Sequence, residues 1–362
     1  MKWHGDDDNF MLNIPKPRAQ QQLAIFAIHL STGCNIFYKR IKLGTIKEYI
    51  NAVSKLTGLH RNEDVRKDNP VDVSMGATLQ AVYKELERWE DEPNRREAMC
   101  PAMVRYAAKQ AAKATPDSLL DVLSDWFCLG VFAGLRCGEY AQTPTNKRNP
   151  AKPDKNIRGD TRAFCLNDIR ARTKSGRFLQ GAEIASVRPE DILSVWIKFR
   201  TQKNGKHGAE RLFRRAKGKL CPVLTLYRII ARFIRLRGAA DLDTPLSIYL
   251  TGLGEILLLT SQEITSEMRT IACAVHNLDP IKQSDHVKRW SAHSLRVGAC
   301  VFLHGSGFSA LDIKWILRWE SDAYMVYLRN FHGLSDRQAQ AFDHDESMDH
   351  MVAMPQLDMY EL

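Results

Sequence analysis

The sequence Arg318-Trp-Glu-Ser-Asp-Ala-Tyr-Met-Val-Tyr-Leu-Arg329 is the most informative stretch of the 362-residue chain. It follows Ser309-Ala-Leu-Asp312, whose spacing is typical of a capping box at the start of a helix. Residues 321–331 are predicted to be helical as well. Aromatic side chains at this density on a helix pack in a core more often than they take part in chemistry. Their functional meaning therefore depends on motifs elsewhere in the chain.

Three upstream motifs carry polar residues that could act together with this stretch. Gly134-Leu-Arg136-Cys-Gly-Glu139 ends a long apolar helix, and taken alone it is typical of a C-cap glycine with a surface ion pair. Thr201-Gln-Lys203-Asn-Gly-Lys206 places a lysine beside Asn-Gly, a strong hairpin signal. His293-Ser-Leu-Arg296 has a spacing that a chain of this composition contains about once by chance. The order of the motifs is more informative than any one of them.

Hydrophobic periodicity predicts a mainly α fold with a small β-sheet, an α+β protein. Helices are predicted at 18–30, 45–56, 75–90, 99–113, 119–132, 224–236, 261–275, 294–304, 309–317 and 321–331. Strands are predicted at 162–166, at 195–199 and, after the Asn204-Gly205 turn, at 211–213. No strand pattern precedes residue 114. The predicted organisation comprises a flexible N-terminus 1–16, an all-helical domain 17–113, a second domain 114–340 and an acidic tail 341–362.

The composition excludes several classes of protein. With 44% hydrophobic and 26% charged residues, the chain is neither disordered nor collagen-like. No apolar run approaches the ~18 residues that a membrane span needs, so we expect no membrane partner. The first residues lack the apolar region of a signal peptide, and the eight cysteines are scattered singly, which is typical of reduced thiols in an intracellular protein.

The charge distribution favours a polyanionic partner. The formal net charge is +10, but residues 341–362 contain six acidic residues and no Lys or Arg. Subtracting this charge of −6 leaves +16 for the remainder of the chain. A basic body of this kind is typical of a protein that binds nucleic acid, and composition alone is equally consistent with a basic protein that has no such partner. Clusters at 170–174, 198–219 and 228–237 could follow phosphates along a DNA backbone or belong to ordinary helix surface.

The linear order of Arg, hairpin Lys, His-x-x-Arg, Trp and Tyr resembles the signature of the tyrosine recombinases, also called the phage-integrase family. The resemblance covers most of the chain, since a helical core-binding domain followed by a mixed catalytic domain is also the layout of that family. The stretch R-W-E-S-D-A-Y-M-V-Y-L-R looks most like recombinases of eukaryotic mobile elements, the DIRS-type retrotransposons and cryptons.

The resemblance implies a role for each motif residue. Arg136, His293 and Arg296 would bind the scissile phosphate, and His293 could also help to move the tyrosine proton. Glu139 would orient the cluster, and Trp319 would occupy the His-or-Trp position. Lys203 would be the general acid, with Lys206 as the second choice. Tyr327 would be the nucleophile, although it lies eight residues after Trp319 where nine is usual, which makes Tyr324 a rival. The implied reaction breaks and rejoins DNA strands through a 3′-phosphotyrosyl intermediate.

The same resemblance implies the binding partners of the chain and two alternative functions. Double-stranded DNA would be bound by a homotetramer, with no metal, ATP or small-molecule cofactor, for integration or excision of a mobile element. Residues 334–362 could dock on a neighbouring protomer or form a flexible tail. A non-cleaving DNA-binding protein derived from a recombinase and a type IB topoisomerase are the alternatives. The expected location is the nucleus in a eukaryotic host, or otherwise the cytoplasm or nucleoid.

Overall fold

The structure is a computed structural model. It describes residues 14–33, 40–68, 75–90, 95–143, 148–156, 159–200, 208–218 and 220–328. The chain divides into two compact units, Met1–Asn94 and Arg95–Leu362. The tail 341–362 and most of the segment 1–16 lie outside the described residues, but Lys16 already belongs to the first helix.

The described residues of the first unit form helices packed around one apolar core. These helices are α1 (Lys16–Thr32), α2 (Leu43–Arg61) and α3 (Ala77–Arg88). Residues spaced three and four apart, such as Leu23, Ala27 and Leu30 on α1 and Ile46 and Ile50 on α2, are buried together. This spacing places them on one face of each helix.

The second unit contains the remaining helices and the sheets. Its helices are α4 (Pro101–Ala111), α5 (Leu119–Ala133), α6 (Cys137–Tyr140), α7 (Pro222–Arg237), α8 (Ser261–His276), α9 (Ser284–Val287), α10 (Ser294–Gly305) and α11 (Ala310–Leu317). Its strands are β1 (Ile169–Thr173), β2 (Phe178–Gln180), β3 (Ile192–Phe199), β4 (Ala209–Arg214), β5 (Ile248–Leu250) and β6 (Ile256–Leu258). An antiparallel sheet has the order β2-β1-β3-β4, and β5 pairs with β6. The prediction of a mainly α fold with a small sheet is confirmed.

Three predicted features differ from the structure. Helix α4, assigned from the sequence to the first domain, lies in the second unit because its buried face packs on α5 and α8. The predicted strand at 162–166 is wrong: a short 3-10 helix begins at Leu166, and the strand starts at Ile169. The apolar residues 163–165 are buried in a loop that leads into this 3-10 helix, not paired in a sheet. The predicted helix at 321–331 is a 3-10 helix, Asp322–Tyr327, within the described residues.

Helix α5 is the centre of the second unit. It is apolar on almost every face, and α4, α7 and α10 pack around it. It ends at Gly134, whose φ of 56° is in the left-handed region that glycine favours. A Cβ at this position would lie 2.3 Å from the Leu317 side chain on α11, so a larger residue would force Leu317 to move. None of the described helices has the length and apolar character needed to cross a membrane.

Charged residues also join α5 to α7. Arg232 is buried with Asp125, and the Arg232 Nη2 lies 2.7 Å from the Asp125 Oδ2 and 3.0 Å from Asp121. Arg228 and Arg235 pair with Asp125 and Asp117. Burial raises the pKa of Asp125, whereas the neighbouring arginines act to lower it. These arginines of the 228–237 cluster are therefore neutralised within the protein, which weakens the interpretation that they follow DNA phosphates.

We expect Arg232→Met to lower the free energy of unfolding by about 3 kcal/mol, because it leaves the buried Asp125 short of a partner. Urea denaturation measures this change. Arg188→Met is the matched control, since the Arg188–Asp191 pair is exposed and should contribute less than about 1 kcal/mol. Equal effects of the two substitutions would contradict the assignment.

Candidate active site

Arg136 and Glu139 lie on a tight turn that follows α5. Arg136 caps α6, and its backbone N–H donates to the Glu139 Oε2 at 2.8 Å. The Arg136 Nη1 also donates to the Glu139 Oε1 at 3.2 Å. Glu139 is buried, whereas 28% of the Arg136 side chain is exposed. The turn thus holds the arginine by its base and leaves part of the guanidinium accessible.

Arg296 lies on the first turn of α10 and is only 2% exposed. Its Nη1 donates to the Gly134 carbonyl at 2.7 Å, and its Nη2 donates to the Leu317 carbonyl. These two bonds join α10 to the end of α5 and the end of α11. Because a guanidinium has five N–H donors, Arg296 keeps others for a further acceptor.

His293 and Tyr327 form a direct pair. The His293 Nε2 lies 2.8 Å from the Tyr327 hydroxyl, and the ring centroids are 5.7 Å apart. Desolvation, followed by the positive charges of Arg296, Arg96 and Arg136, lowers the pKa of His293 below its usual 6.5. Burial raises the pKa of Tyr327, although the charge of Arg296 acts in the opposite direction. At neutral pH the pair is therefore a neutral imidazole beside a protonated phenol.

Trp319 packs between the phosphate-binding candidates and the tyrosines. Its ring lies 4.9 Å from the guanidinium carbon of Arg296 and 5.3 Å from the Tyr327 ring centroid. It also contacts Tyr324, at 5.5 Å between centroids. Tyr324 is 3% exposed and lies in an apolar cluster with Cys300 and other residues of α10 and α11. The two candidate nucleophiles thus differ: Tyr324 is buried in a core, and Tyr327 faces an imidazole.

Arg318 is a buried arginine to which the sequence analysis gave no role. Its Nη2 donates to the Glu139 Oε2 at 3.0 Å and to the Gly134 carbonyl at 3.3 Å. The guanidinium carbon lies 3.4 Å from the centroid of the Phe199 ring. Its location next to Trp319 was visible in the sequence, but nothing there indicated that it would reach the carboxylate of Glu139.

The site has an excess of positive charge. The guanidiniums are those of Arg136, Arg296 and Arg318. Among the described residues, Glu139 is the carboxylate that forms ion pairs with two of them, Arg136 and Arg318. Three guanidiniums and one carboxylate carry a net charge of +2. Burial, together with the charges of Arg136 and Arg318, lowers the pKa of Arg296 to about 9. A bound anion would relieve this repulsion, so the cluster is suited to a phosphate.

Lys203 and Lys206 lie outside the described residues, as does the Asn204-Gly205 turn. The strands on either side, β3 and β4, pair in the predicted hairpin, with the Gly208 N–H donating to the Phe199 carbonyl at 2.9 Å. Within the ranges that the structure describes, no group of three or more His, Cys, Asp or Glu side chains could hold a metal ion.

The structure therefore combines a mainly α fold and a small antiparallel sheet with a cluster of arginine, histidine and tyrosine. Searches with models of protein families and among proteins of curated function found no match. Among solved structures, the chain is similar to the Tn1549 transposon integrase in complex with transposon right end DNA, with a TM-score of 0.45 and 14% identity over 92% of this chain and 85% of that one. It is also similar to the XerA recombinase, with a TM-score of 0.37 and 14% identity over 90% of this chain and 98% of that one. For the FLP recombinase in a Holliday junction complex, the TM-score is 0.30, with 11% identity over 87% of this chain and 76% of that one. All three TM-scores lie below 0.5, so the functional assignment depends on the contacts within the site.

Proposed function

We propose that this chain is a site-specific DNA recombinase that cleaves and rejoins strands with Tyr327 as the nucleophile. The observation that carries the proposal is the 2.8 Å contact between the Tyr327 hydroxyl and the His293 Nε2, beside a cluster of arginines. A tyrosine that faced a core, as Tyr324 does, would have no route to a phosphodiester.

In the proposed cleavage step, the Tyr327 oxygen attacks the phosphorus while the phenol proton passes to the His293 Nε2. The bond from phosphorus to the 5′ oxygen breaks, and that oxygen leaves with a proton from a general acid. Lys203 is our choice for this acid, with Lys206 second. The products are a 3′-phosphotyrosyl bond and a 5′ hydroxyl. Attack by the 5′ hydroxyl of a second strand reverses every transfer, so the step needs no outside source of energy.

The charge of the site matches the proposed transition state. A phosphodiester carries one negative charge, and attack by a phenol that has lost its proton brings this to two at the phosphorane. The net charge of +2 from Arg136, Arg296, Arg318 and Glu139 balances it. Donors held in place before the reaction are the most effective way to stabilise such charge.

The wider role that we propose is integration or excision of a mobile element by a homotetramer on double-stranded DNA. Exchange of both strands between two duplexes needs four cleavages, and one tyrosine per protomer then requires four protomers. Support comes from the order of the motifs and from the charge of +16 on the chain outside residues 341–362. A nuclear location in a eukaryotic host belongs to the same proposal.

The direct test is trapping of a covalent intermediate. The substrate is a duplex that carries the DNA flanking the gene of this chain, nicked so that a short strand diffuses away after cleavage and prevents rejoining. A band of covalent protein–DNA complex on a denaturing gel is the expected result. Binding of this DNA without any band would favour the non-cleaving DNA-binding protein. Relaxation of a supercoiled plasmid that lacks these sequences would favour a type IB topoisomerase.

The cleavage rate should depend on pH through His293. The imidazole accepts a proton only when it is neutral, and its lowered pKa keeps it neutral down to below pH 6.5. At subsaturating DNA, where the profile reports the free protein, we expect a plateau at neutral pH and a fall only below pH 6.5. The measurement is the rate of covalent complex formation against pH. His293→Gln should remove this acidic limb, and a midpoint above 6.5 would contradict the role of His293 as the base.

A further inference from the structure

Arg318 is unusual because it is charged, buried and in a left-handed backbone conformation at the same time. It is 5% exposed, and its φ of 58° lies in the left-handed region, which disfavours any residue with a Cβ by ~1 kcal/mol. Glycine would satisfy this backbone without strain. Within the described residues, the Nε and Nη1 atoms of Arg318 have no hydrogen-bond partner, and the face of the guanidinium lies against the Phe199 ring. The contacts that the side chain does make must therefore explain its presence.

Those contacts reach the segments that carry the candidate catalytic groups. The Nη2 donates to Glu139, which in turn holds both the backbone N–H and the Nη1 of Arg136. Phe199 is the last residue of β3 and therefore forms the base of the hairpin that contains Lys203. The backbone of Arg318 ends α11 and leads directly into Trp319.

We propose that Arg318 is a positioning residue that fixes the Arg136 turn, the base of the β3–β4 hairpin and the end of α11 relative to one another. This inference rests on the proposed function, since it concerns the same site. Arg318 acts through Glu139 on Arg136, and it does not contact the phosphate. Within the described residues, two nitrogens of Arg318 are buried without a hydrogen bond, so hydrogen bonding alone does not explain an arginine here. The planar guanidinium fits between the Glu139 carboxylate, the Gly134 carbonyl and the Phe199 ring.

The test compares Arg318→Gln with Arg211→Gln. Arg211 is a matched control because it stacks on Trp315 at 4.6 Å and donates to the Trp315 carbonyl at 2.9 Å, so it also joins the sheet to α11. Within the described residues its side-chain hydrogen bonds go to the carbonyls of Glu210 and Trp315, not to Glu139. We expect Arg318→Gln to lower the single-turnover cleavage rate about 10²-fold, the size of a lost transition-state donor. Arg211→Gln should stay within about threefold of wild type, because the contacts that it loses do not reach Glu139 or Arg136. Thermal unfolding checks that both variants are folded.

A change of substrate separates positioning from a general loss of structure. In a duplex whose scissile phosphate has a methyl group in place of one non-bridging oxygen, the phosphate is uncharged and needs less help from Arg136. We expect this duplex to restore the rates of Arg136→Gln and Arg318→Gln towards that of wild type on the same DNA. Rescue of Arg136→Gln but not of Arg318→Gln, or an equal loss of rate in Arg211→Gln, would overturn the proposal.

Amide hydrogen exchange tests the positioning without any cleavage. The Arg136 N–H bonds to Glu139, so Arg318→Gln should speed exchange at this amide about tenfold or more, and Arg211→Gln should not. Unchanged exchange in Arg318→Gln would overturn the proposal. If wild type fails to form a covalent complex, the proposed function fails, while a faster exchange at Arg136 still supports the positioning role.

Discussion

Tyr327→Phe should abolish the covalent protein–DNA complex, with a loss of at least about 10⁴-fold that reaches the detection limit of the gel, because no other group supplies the bond to phosphorus. The change removes one oxygen atom. The ring keeps its packing against Trp319, but the hydrogen bond between the hydroxyl and the His293 Nε2 is lost. We therefore expect DNA binding close to that of wild type and a free energy of unfolding lower by only about 1 kcal/mol, so that loss of the band reports the chemistry.

Tyr324→Phe is the matched control, because it removes the same atom from a tyrosine three residues away. Tyr324 is 3% exposed and packs in the apolar cluster of α10 and α11, so the variant should keep the covalent band. Loss of the band with Tyr324→Phe alone would keep the class of reaction and move the nucleophile. Loss with neither variant would exclude both tyrosines and contradict the proposed site.

The sequence predicted the helices and strands that carry the candidate site better than the contacts between them. The spacing of apolar residues predicted helices close to α5, α7, α8, α10 and α11, since a buried face imposes this spacing on its own helix. The alternation at 195–199 and the run at 211–213 predicted two strands that do pair as β3 and β4, whereas the Asn204-Gly205 turn lies outside the described residues. These are local effects, and a local pattern is enough to predict them.

The features that the sequence analysis missed depend on contacts between distant residues. Arg318 lies 179 positions from Glu139, and its guanidinium reaches the carboxylate where the end of α11 packs against the end of α5 at Gly134. The full burial of Tyr324 and the partial burial of Tyr327 depend on how the 3-10 helix packs against α10. The sequence of α7 suggests a DNA-binding cluster, but in the structure its arginines form ion pairs with aspartates on α5. Residue type and spacing do not determine such pairings.

Arg296→Lys should lower the single-turnover cleavage rate by about 10²- to 10³-fold, the effect of a lost donor to the transition state. Lysine keeps the positive charge but has one nitrogen in place of a planar fork. That nitrogen cannot donate to the Gly134 and Leu317 carbonyls and also reach a phosphate. We expect a second effect as well: the free energy of unfolding should fall by about 1–3 kcal/mol, because a buried carbonyl loses its donor.

Arg269→Lys distinguishes these two effects. Like Arg296, Arg269 donates to two backbone carbonyls, those of Trp290 at 3.1 Å and Lys288 at 3.3 Å. It lies on α8, however, and within the described residues these hydrogen bonds do not involve the His293–Tyr327 pair. Its substitution should lower stability slightly and leave the cleavage rate close to that of wild type. If Arg296→Lys also cleaved at the rate of wild type, Arg296 would only join α10 to its neighbours. Arg136 would then be the arginine left to contact the phosphate, because the same geometry assigns Arg318 to Glu139.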